Sequence, residues 1–424
     1  MRSFNLRPQG VPPAWAAVCL VALLALPACA RSPAHGALRP LGVTPTSARA
    51  SLPPPPQGEL AFETAVRQLV ARHPELIALR AEAAAIDPDP ARVRIDAEAR
   101  VRDGEVGDVM LGTEVLALLG LGPRGAQIAL ARALREEACL RVHERARARV
   151  GELAEAYAVH AALEALPPLP SAPDLATWRE AGLASDALNE AAAGVAEALD
   201  VEASLRSIEL GRAREAVSVL VGSTPADDVH PVAPSEPWPP VAAGSEDALV
   251  LARGDLLRRL AAVTVAERAL RVAAQQQWPD LMLKLGQGID PSTPLQTIGL
   301  SIPLDAPRKV AVARRRRDAV AKRLDEGVHT ALAETAAAAR DAEAAQARVR
   351  GVVADLRTVD ALVTAERARL DTTPDALSAW VEVQGRRATL LRAERESRVA
   401  AARARVRAAV AAGWPSPQDL EVLR

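Results

Sequence analysis

A few groups of residues have the types and spacing that could do chemistry. Gly120-Leu121-Gly122-Pro123-Arg124-Gly125 is a literal G-x-G-x-x-G between a strand-like run and a helical one. In that context backbone N–H groups at a helix start can hold a pyrophosphate. A dinucleotide fold also needs a second buried parallel strand ending in an acid about 20 residues on. Here the helical pattern continues through Arg141, Arg145 and Glu152, so the glycines read as a strand exit and a helix start. The histidines are His35, His73, His143, His160, His230 and His329. None forms an H-x-x-x-H pair or a Cys/His cluster of ligand spacing, so no metal site is expected, and each reads as a surface or packing residue. Cys139 stands alone in the middle of the chain; no disulfide framework or zinc site can be built from it, and it reads as a packed, inert thiol. Arg314 to Arg317 could face an anion, but a charge run early in a long helix reads as a solvated face. No serine, cysteine or carboxylate constellation argues for catalysis. The chain therefore reads as a non-enzyme without a cofactor.

The elements that must position these residues are unusual. From Trp278 to Arg317 two short alternating runs flank a turn-forming loop, Asp290-Pro291-Ser292-Thr293-Pro294. Leu281, Leu283 and Leu285 share one face of the first run; Ile298, Leu300, Ile302 and Leu304 share one face of the second. Period-2 alternation of this kind predicts a hairpin with one apolar face. A very long polar helix is predicted directly after it, from Lys309 to about Leu370, with a second from Pro374 to about Ala412.

Composition agrees with long helices. The 424 residues carry a net charge of −1 and only 2% aromatics, which gives no global basic field for nucleic acid and too few rings for packed sheets. Alanine, arginine and glutamate dominate, as in coiled coils. No apolar run after residue 30 approaches the roughly 20 residues a transmembrane helix needs.

The N-terminus carries a separate message. Arg2 and Arg7 precede an apolar run from Ala14 to Leu26, so residues 1–28 read as a secretory signal. Leu26-Pro27-Ala28-Cys29 resembles a bacterial lipoprotein processing box, which makes Cys29 the expected lipid anchor. Ala28-Cys29-Ala30 also fits simple cleavage. Residues 29–58, with Pro53 to Pro56 consecutive, read as an extended tether.

From Glu59 the same programme is read twice: a helix, a strand pair, then long helices. The helix opens at Glu59 in the first half, and His73-Pro74-Glu75-Leu76 and Arg253-Gly254-Asp255-Leu256 occupy equivalent places. In the first half Val93, Ile95, Ala97, Ala99 and Val101 alternate with charged residues, and a second run follows from Val109 to Leu119. Pro74 and Gly254, Pro123 and Pro307, and Gly222 and Gly413 lie 180, 184 and 191 residues apart, a slow drift that points to duplication. The expected layout is a first repeat over 59–222 with a hairpin at about 93–120, a Pro-rich linker over 223–244, a second repeat over 245–414 with a hairpin at about 280–304, and a tail over 415–424. First-half helices are expected from Arg124 to about Leu166 and from Asp174 to about Leu220, separated by Pro167-Pro168-Leu169-Pro170-Ser171-Ala172-Pro173.

These pieces together resemble the TolC-like outer-membrane efflux family over roughly residues 59–414. The HPEL and RGDL entries, the run GLSIPLDAPRKVAVARRR feeding a long helix, and the return helices AGLASDALNEAAAG and LDTTPDALSAWVEVQG carry the resemblance. LGLGPRGAQIALARALREEA is similar to the subgroup exporting cobalt, zinc and cadmium. The resemblance implies a mainly α fold with a small β part: a duplicated unit of long antiparallel helices plus β-hairpins. Three copies would close a 12-stranded β-barrel in the outer membrane, continued by an α-helical barrel in the periplasm. It also implies a homotrimer working with a periplasmic adaptor and an inner-membrane pump as a passive efflux conduit. Two features depart from the family pattern: none of the four strands carries Phe, Tyr or Trp, and the proline cluster at 167–173 falls where a helical hairpin usually continues. The alternative is a lipid-tethered periplasmic helical protein that has lost the channel.

Overall fold

The computed structural model describes residues 58–87, 95–102, 105–114, 124–172, 175–181, 184–223, 229–232, 249–250, 252–277, 280–287, 294–301, 305–370 and 376–415. The signal, the tether up to residue 57 and Cys29 lie outside the described residues, as do residues 120–123 of the glycine run, most of the 223–244 linker and residues 416–424. All described residues belong to one compact unit, Pro55–Arg424. In chain order its elements are β1 (Gly58–Ala61), α1 (Phe62–Arg72), α2 (Pro74–Ala85), β2 (Ile95–Arg102), β3 (Glu105–Glu114), α3 (Arg124–Glu164), α4 (Ala176–Glu180), α5 (Asp186–Leu220), β4 (Val229–Val232), α6 (Gly254–Gln275), β5 (Asp280–Gln287), β6 (Pro294–Ser301), α7 (Ala306–Leu370) and α8 (Ala376–Ala411).

In both halves the entry helix breaks at the same kind of place. Pro74 takes the first position of α2, where its missing N–H costs nothing, and the preceding His73 is extended at φ −62°, ψ 120°, as a residue before proline must be. Arg253, at φ −90°, ψ 116°, plays that part before α6. The return helices end alike as well. Ser223 N–H donates to Ser218 O (2.8 Å) and Gly222 N–H to Val219 O (3.2 Å); Trp414 N–H donates to Ala409 O (3.0 Å) and Gly413 N–H to Val410 O (3.1 Å). Both are paired 6→1 and 5→2 bonds that need a residue at positive φ, and Gly222 and Gly413 supply it at +74° and +113°.

The helices form a layer. The long α7 packs against both α6 and α8, α3 packs against α6, α8 and α5, and α2 packs on α3. Thus α6 and α8 together make one column beside α7. The C-terminal end of α8 meets the start of α6: a Cβ placed on Gly413 would sit 2.5 Å from the Ala252 Cβ. The end of α5 likewise approaches the end of α1, where a Cβ on Gly222 would lie 3.6 Å from the Arg72 Cβ. At 1.5 Å per residue the 65-residue α7 is roughly 98 Å long. No described helix is long and apolar enough to cross a membrane.

The strands form two sheets. β2, β3, β5 and β6 make a four-stranded antiparallel sheet in that order, with Arg102 opposite Glu105, Leu111 opposite Leu285 and Leu283 opposite Ile298. The two hairpins are joined through β3 and β5, leaving β2 and β6 as the edges among the described residues. The second sheet is β1 paired in parallel with β4, Leu60 opposite Pro231.

Several boundaries differ from expectation. The first helix does not open at Glu59: residues 58–61 are strand β1, and residues 229–232, read as linker, are its partner β4. The pairing lets the buried Leu60 and Val229 join the core around Leu69, Leu153, Tyr157 and Val217. The helix expected from Asp174 is two pieces, α4 and α5, because Ser185 starts a new helix by accepting the Leu188 N–H on its Oγ (3.3 Å). β3 begins at Glu105 rather than Val109, since Arg102 pairs directly with Glu105. Residues 93–94 and 115–119 of the first expected strands, and the loop 288–293, lie outside the described residues.

A junction glycine and a mid-helix glycine together generate a stability prediction. Gly413→Ala puts a side chain at φ +113° against Ala252 and should cost about 2 kcal/mol or more. Gly351→Ala, inside α7 with open space around it, should instead stabilise by about 0.5–1 kcal/mol. Thermal unfolding followed by circular dichroism of the two variants checks the opposite signs.

Candidate functional site: a charged trough over the helix junction

The last carbonyls of a helix have no partner of their own, and the end of α8 lies where α6 begins. Arg147, from the middle of α3 and 7% exposed, reaches into this junction. Its guanidinium donates to Val410 O at the end of α8, to Trp414 O (3.3 Å) beyond it, and to Ala252 O (3.4 Å) ahead of α6. Burial lowers its pKa to about 10, because its partners are neutral carbonyls. Arg253 adds a bond to Ala411 O (3.4 Å) and is itself gripped by both oxygens of Asp255 (3.0 and 2.9 Å) and by Glu334 of α7 (3.0 Å). Thr335 Oγ1 donates to Ala411 O as well (2.9 Å). Beside the junction Phe62 stacks on Trp414 and meets Tyr157 edge-on; the Tyr157 hydroxyl donates to Leu60 O (2.8 Å), and burial pushes its pKa up.

Over this junction lies an open trough of about 950 Å³ between α3 and α7. Its floor is small and apolar, with Gly151, Ala337, Ala400 and Ala404 among its residues, and its rims are charged. Glu144 pairs with Arg258 (2.6 Å), and Glu155 with Arg403 (3.4 Å) and Arg407 (3.2 Å). The rims carry both signs, and among the described residues there is no group of three His, Cys, Asp or Glu able to hold a metal ion. The physical character is that of a solvent-open surface carrying charges of both signs.

Two further ionic sites fix the helices around it. Glu75 at the start of α2 accepts from Arg145 and Arg149 of α3, and these bonds hold its carboxyl below the ordinary range. Between α5 and α8, Arg395 (4% exposed) donates to Glu202 (2% exposed) at 2.9 and 3.1 Å and to Glu209 at 2.6 Å. On α3, His160 (1% exposed) accepts from Arg214 Nε of α5 at Nε2 (3.2 Å), with Glu164 3.5 Å from Nδ1. Burial lowers its pKa, Glu164 raises it, and Arg214 and His230 lower it.

The residues singled out in the sequence are not gathered into one site. Arg124 opens α3, which runs unbroken to Glu164, and β3, the described strand ahead of the glycine run, pairs antiparallel with β2 and β5, so among the described residues the glycine run has no parallel strand–helix–strand unit behind it. Cys139 is half-buried beside a small cavity with Arg80 and His143. Arg314, Arg315 and Arg316 are exposed on α7. Arg147 was not singled out, because Arg145-Ala146-Arg147-Ala148-Arg149 looks like one charged face. The available signal was its phase: Arg147 shares a helix face with Val150, Ala154 and Ala158, all buried, so it is an arginine on a small apolar stripe.

No protein-family model and no curated protein sequence matches the chain. Solved structures do. The outer-membrane channel OprN superposes with a TM-score of 0.63 at 19% identity, over 83% of this chain and 89% of that one. The CmeC outer membrane channel of Campylobacter jejuni gives 0.59 at 14% identity, over 85% and 87%. CusC, described through its transmembrane channel formation, gives 0.56 at 14% identity, over 81% and 91%. The chain has the fold of TolC-like outer-membrane channels.

Two predictions follow from the ionic sites. Arg395→Met leaves the buried Glu202 with only Arg206 Nε (3.3 Å) as its cationic partner and should cost about 2–3 kcal/mol, whereas adding Glu202→Gln should recover part of that loss; a double-mutant cycle in denaturant measures it. His160 is held neutral, with a folded-state pKa below its unfolded value. Its contribution is complete above about pH 6.5 and is lost as pH falls through the lowered value. Melting temperature should drop from pH 7 to pH 5, and His160→Gln, which can still accept from Arg214, should flatten that slope.

Proposed function

We propose that the protein is the outer-membrane channel of a tripartite efflux system, a passive conduit for small molecules or metal ions. The observation that carries this is the four-stranded antiparallel sheet whose edges, β2 and β6, have no partner among the described residues. An open edge is untenable in lipid, where unpaired backbone groups find no water. Three copies pairing β2 with β6 of the next would close twelve strands and abolish every edge. Strands of eight to ten residues suit a tilted crossing of the bilayer. The long helices α3 and α7 follow the hairpins closely and carry the conduit into the periplasm. The charged trough is its hydrated inner wall, and passage involves no chemical step.

The edges of the helical layer fit the same assembly. α5 lies at one side and leaves Val201, Ile208 and Val219 exposed; α7 lies at the other, with exposed Val312 and Leu362. In a ring these edges meet, which covers both. Duplication of an ancestral helix–hairpin–helix unit, over 59–222 and 245–414, accounts for the matching helix breaks and caps. Cys29 is the lipid anchor in the outer membrane, and the adaptor and inner-membrane pump are the partners that supply energy. One sequence fact favours the rival, a tethered helical protein without a channel: β2, β3, β5 and β6 contain no aromatic residue, whereas membrane barrels carry aromatic girdles.

The purified mature protein should run as a trimer by mass in mild detergent and give stepwise conductance in planar bilayers. A monomer that never inserts would sink the channel and leave the tethered protein as the account.

A further inference from the structure

α3 and α7 begin at equivalent points, yet α3 has 41 residues and α7 has 65. The return helices α5 and α8 differ by one residue, at 35 and 36. The first half therefore lacks about 36 Å of helix at its far end, although its return helix still reaches that far. The proline segment after α3 runs in its place. Leu166 shares a core cluster with Ala213 of α5 and Val399 of α8. Leu169 packs on the cluster of Val195, Leu199, Ala388 and Leu391. Leu175 joins Ala192, Ala376, Leu377 and Trp380. From Leu166 to Leu175 the level on α8 thus falls from residue 399 to about 378, roughly 32 Å of helix. The described residues 166–172 are non-helical and, with Leu175, form a strap laid along the groove between α5 and α8.

Above this point α3 separates α5 from α8; below it the two touch directly. Arg395 of α8 bonds Glu202 and Glu209 of α5, and a Cβ on Gly385 would lie 3.5 Å from Val195. We propose that the strap fixes the far section of the conduit at three wall helices per chain instead of four, making it the narrowest permanent section and the part that sets the size of what passes. This rests on the channel reading above. With helices about 10 Å apart, nine in a ring enclose a bore roughly 10 Å narrower than twelve. The narrowing is built into the wall and needs no closing motion.

Two measurements on the full chain test this. With Cys139→Ala, the pair Val195→Cys and Gly385→Cys should form a disulfide under mild oxidation, seen as a linked peptide by mass spectrometry; a helix between α5 and α8 would prevent it. In planar bilayers, polyethylene glycols of graded size added from the helical end should be excluded at a smaller size than those added from the barrel end. No disulfide overturns the three-helix wall. A disulfide with equal cut-offs from both ends overturns the size filter. A disulfide in a protein that neither trimerises nor conducts leaves the three-helix wall standing but overturns the size filter together with the channel.

Discussion

The structure depends on satisfying backbone carbonyls where two short helices stand end to end beside one long one. α7 spans its half in one piece, but its neighbours α8 and α6 meet partway along it. Each helix end brings unpaired groups into a crowded place. The solution has three parts. Gly413 turns the chain at positive φ so that its own amide and that of Trp414 bond back to the helix. Arg147 donates to three carbonyls at once. Arg253 and Thr335 share Ala411 O. Arg147 must be an arginine, since only a planar fork of several donors reaches acceptors on both sides of the junction.

Away from the junction, the layer is held by modest forces. The interfaces are rich in alanine, which allows close approach of helices but buries little area per residue. Specific register then falls to the ion pairs. Arg395 with Glu202 and Glu209 sets α8 against α5, and Glu75 with Arg145 and Arg149 sets α2 against α3. Buried pairs add little net stability compared with an apolar substitute, but any sliding of one helix leaves a charge unpaired. For a wall that must hold one geometry over a long span, that penalty against slippage matters more than the net energy.

Much of this was legible in the sequence, because period-2 and period-3.6 patterns are local signals. The pairing of Leu281 to Leu285 with Ile298 to Leu300, the long helix ending near Leu370 and the return helix over Ala376–Ala411 were all readable that way; Ile302, Leu304 and Pro374 lie outside the described residues. So were the proline break and the glycines at 222 and 413. What was not legible depends on partners far away in the chain. Glu59-Leu60-Ala61 looks helical by itself and becomes a strand only because Val229–Val232 lies beside it. The role of Arg147 requires knowing that α8 ends 263 residues later. The separate, later start of α5 at Asp186 turned on Ser185, a capping residue with an acid behind it, which local reading could have found.

The proline strap shows how a helical wall can lose a helix while leaving few donors to satisfy. A non-helical segment laid in an apolar groove would normally expose N–H groups with no ladder to join. Pro167, Pro168 and Pro170 have no N–H to satisfy, and Pro167 O accepts from Arg206 of α5 (2.7 Å). The stretch also has the right period. Leu166, Leu169 and Leu175 are spaced by three and six residues, the repeat of an extended proline-rich chain, and each joins an apolar cluster between the helices. The same composition that ends α3 at Glu164 therefore keeps α5 and α8 covered beyond it. A continued helix could not do both, because it would have to sit between α5 and α8 and break the Arg395–Glu202 contact. The thinner far wall and the buried ion pair are thus two consequences of one sequence choice at residues 166–172.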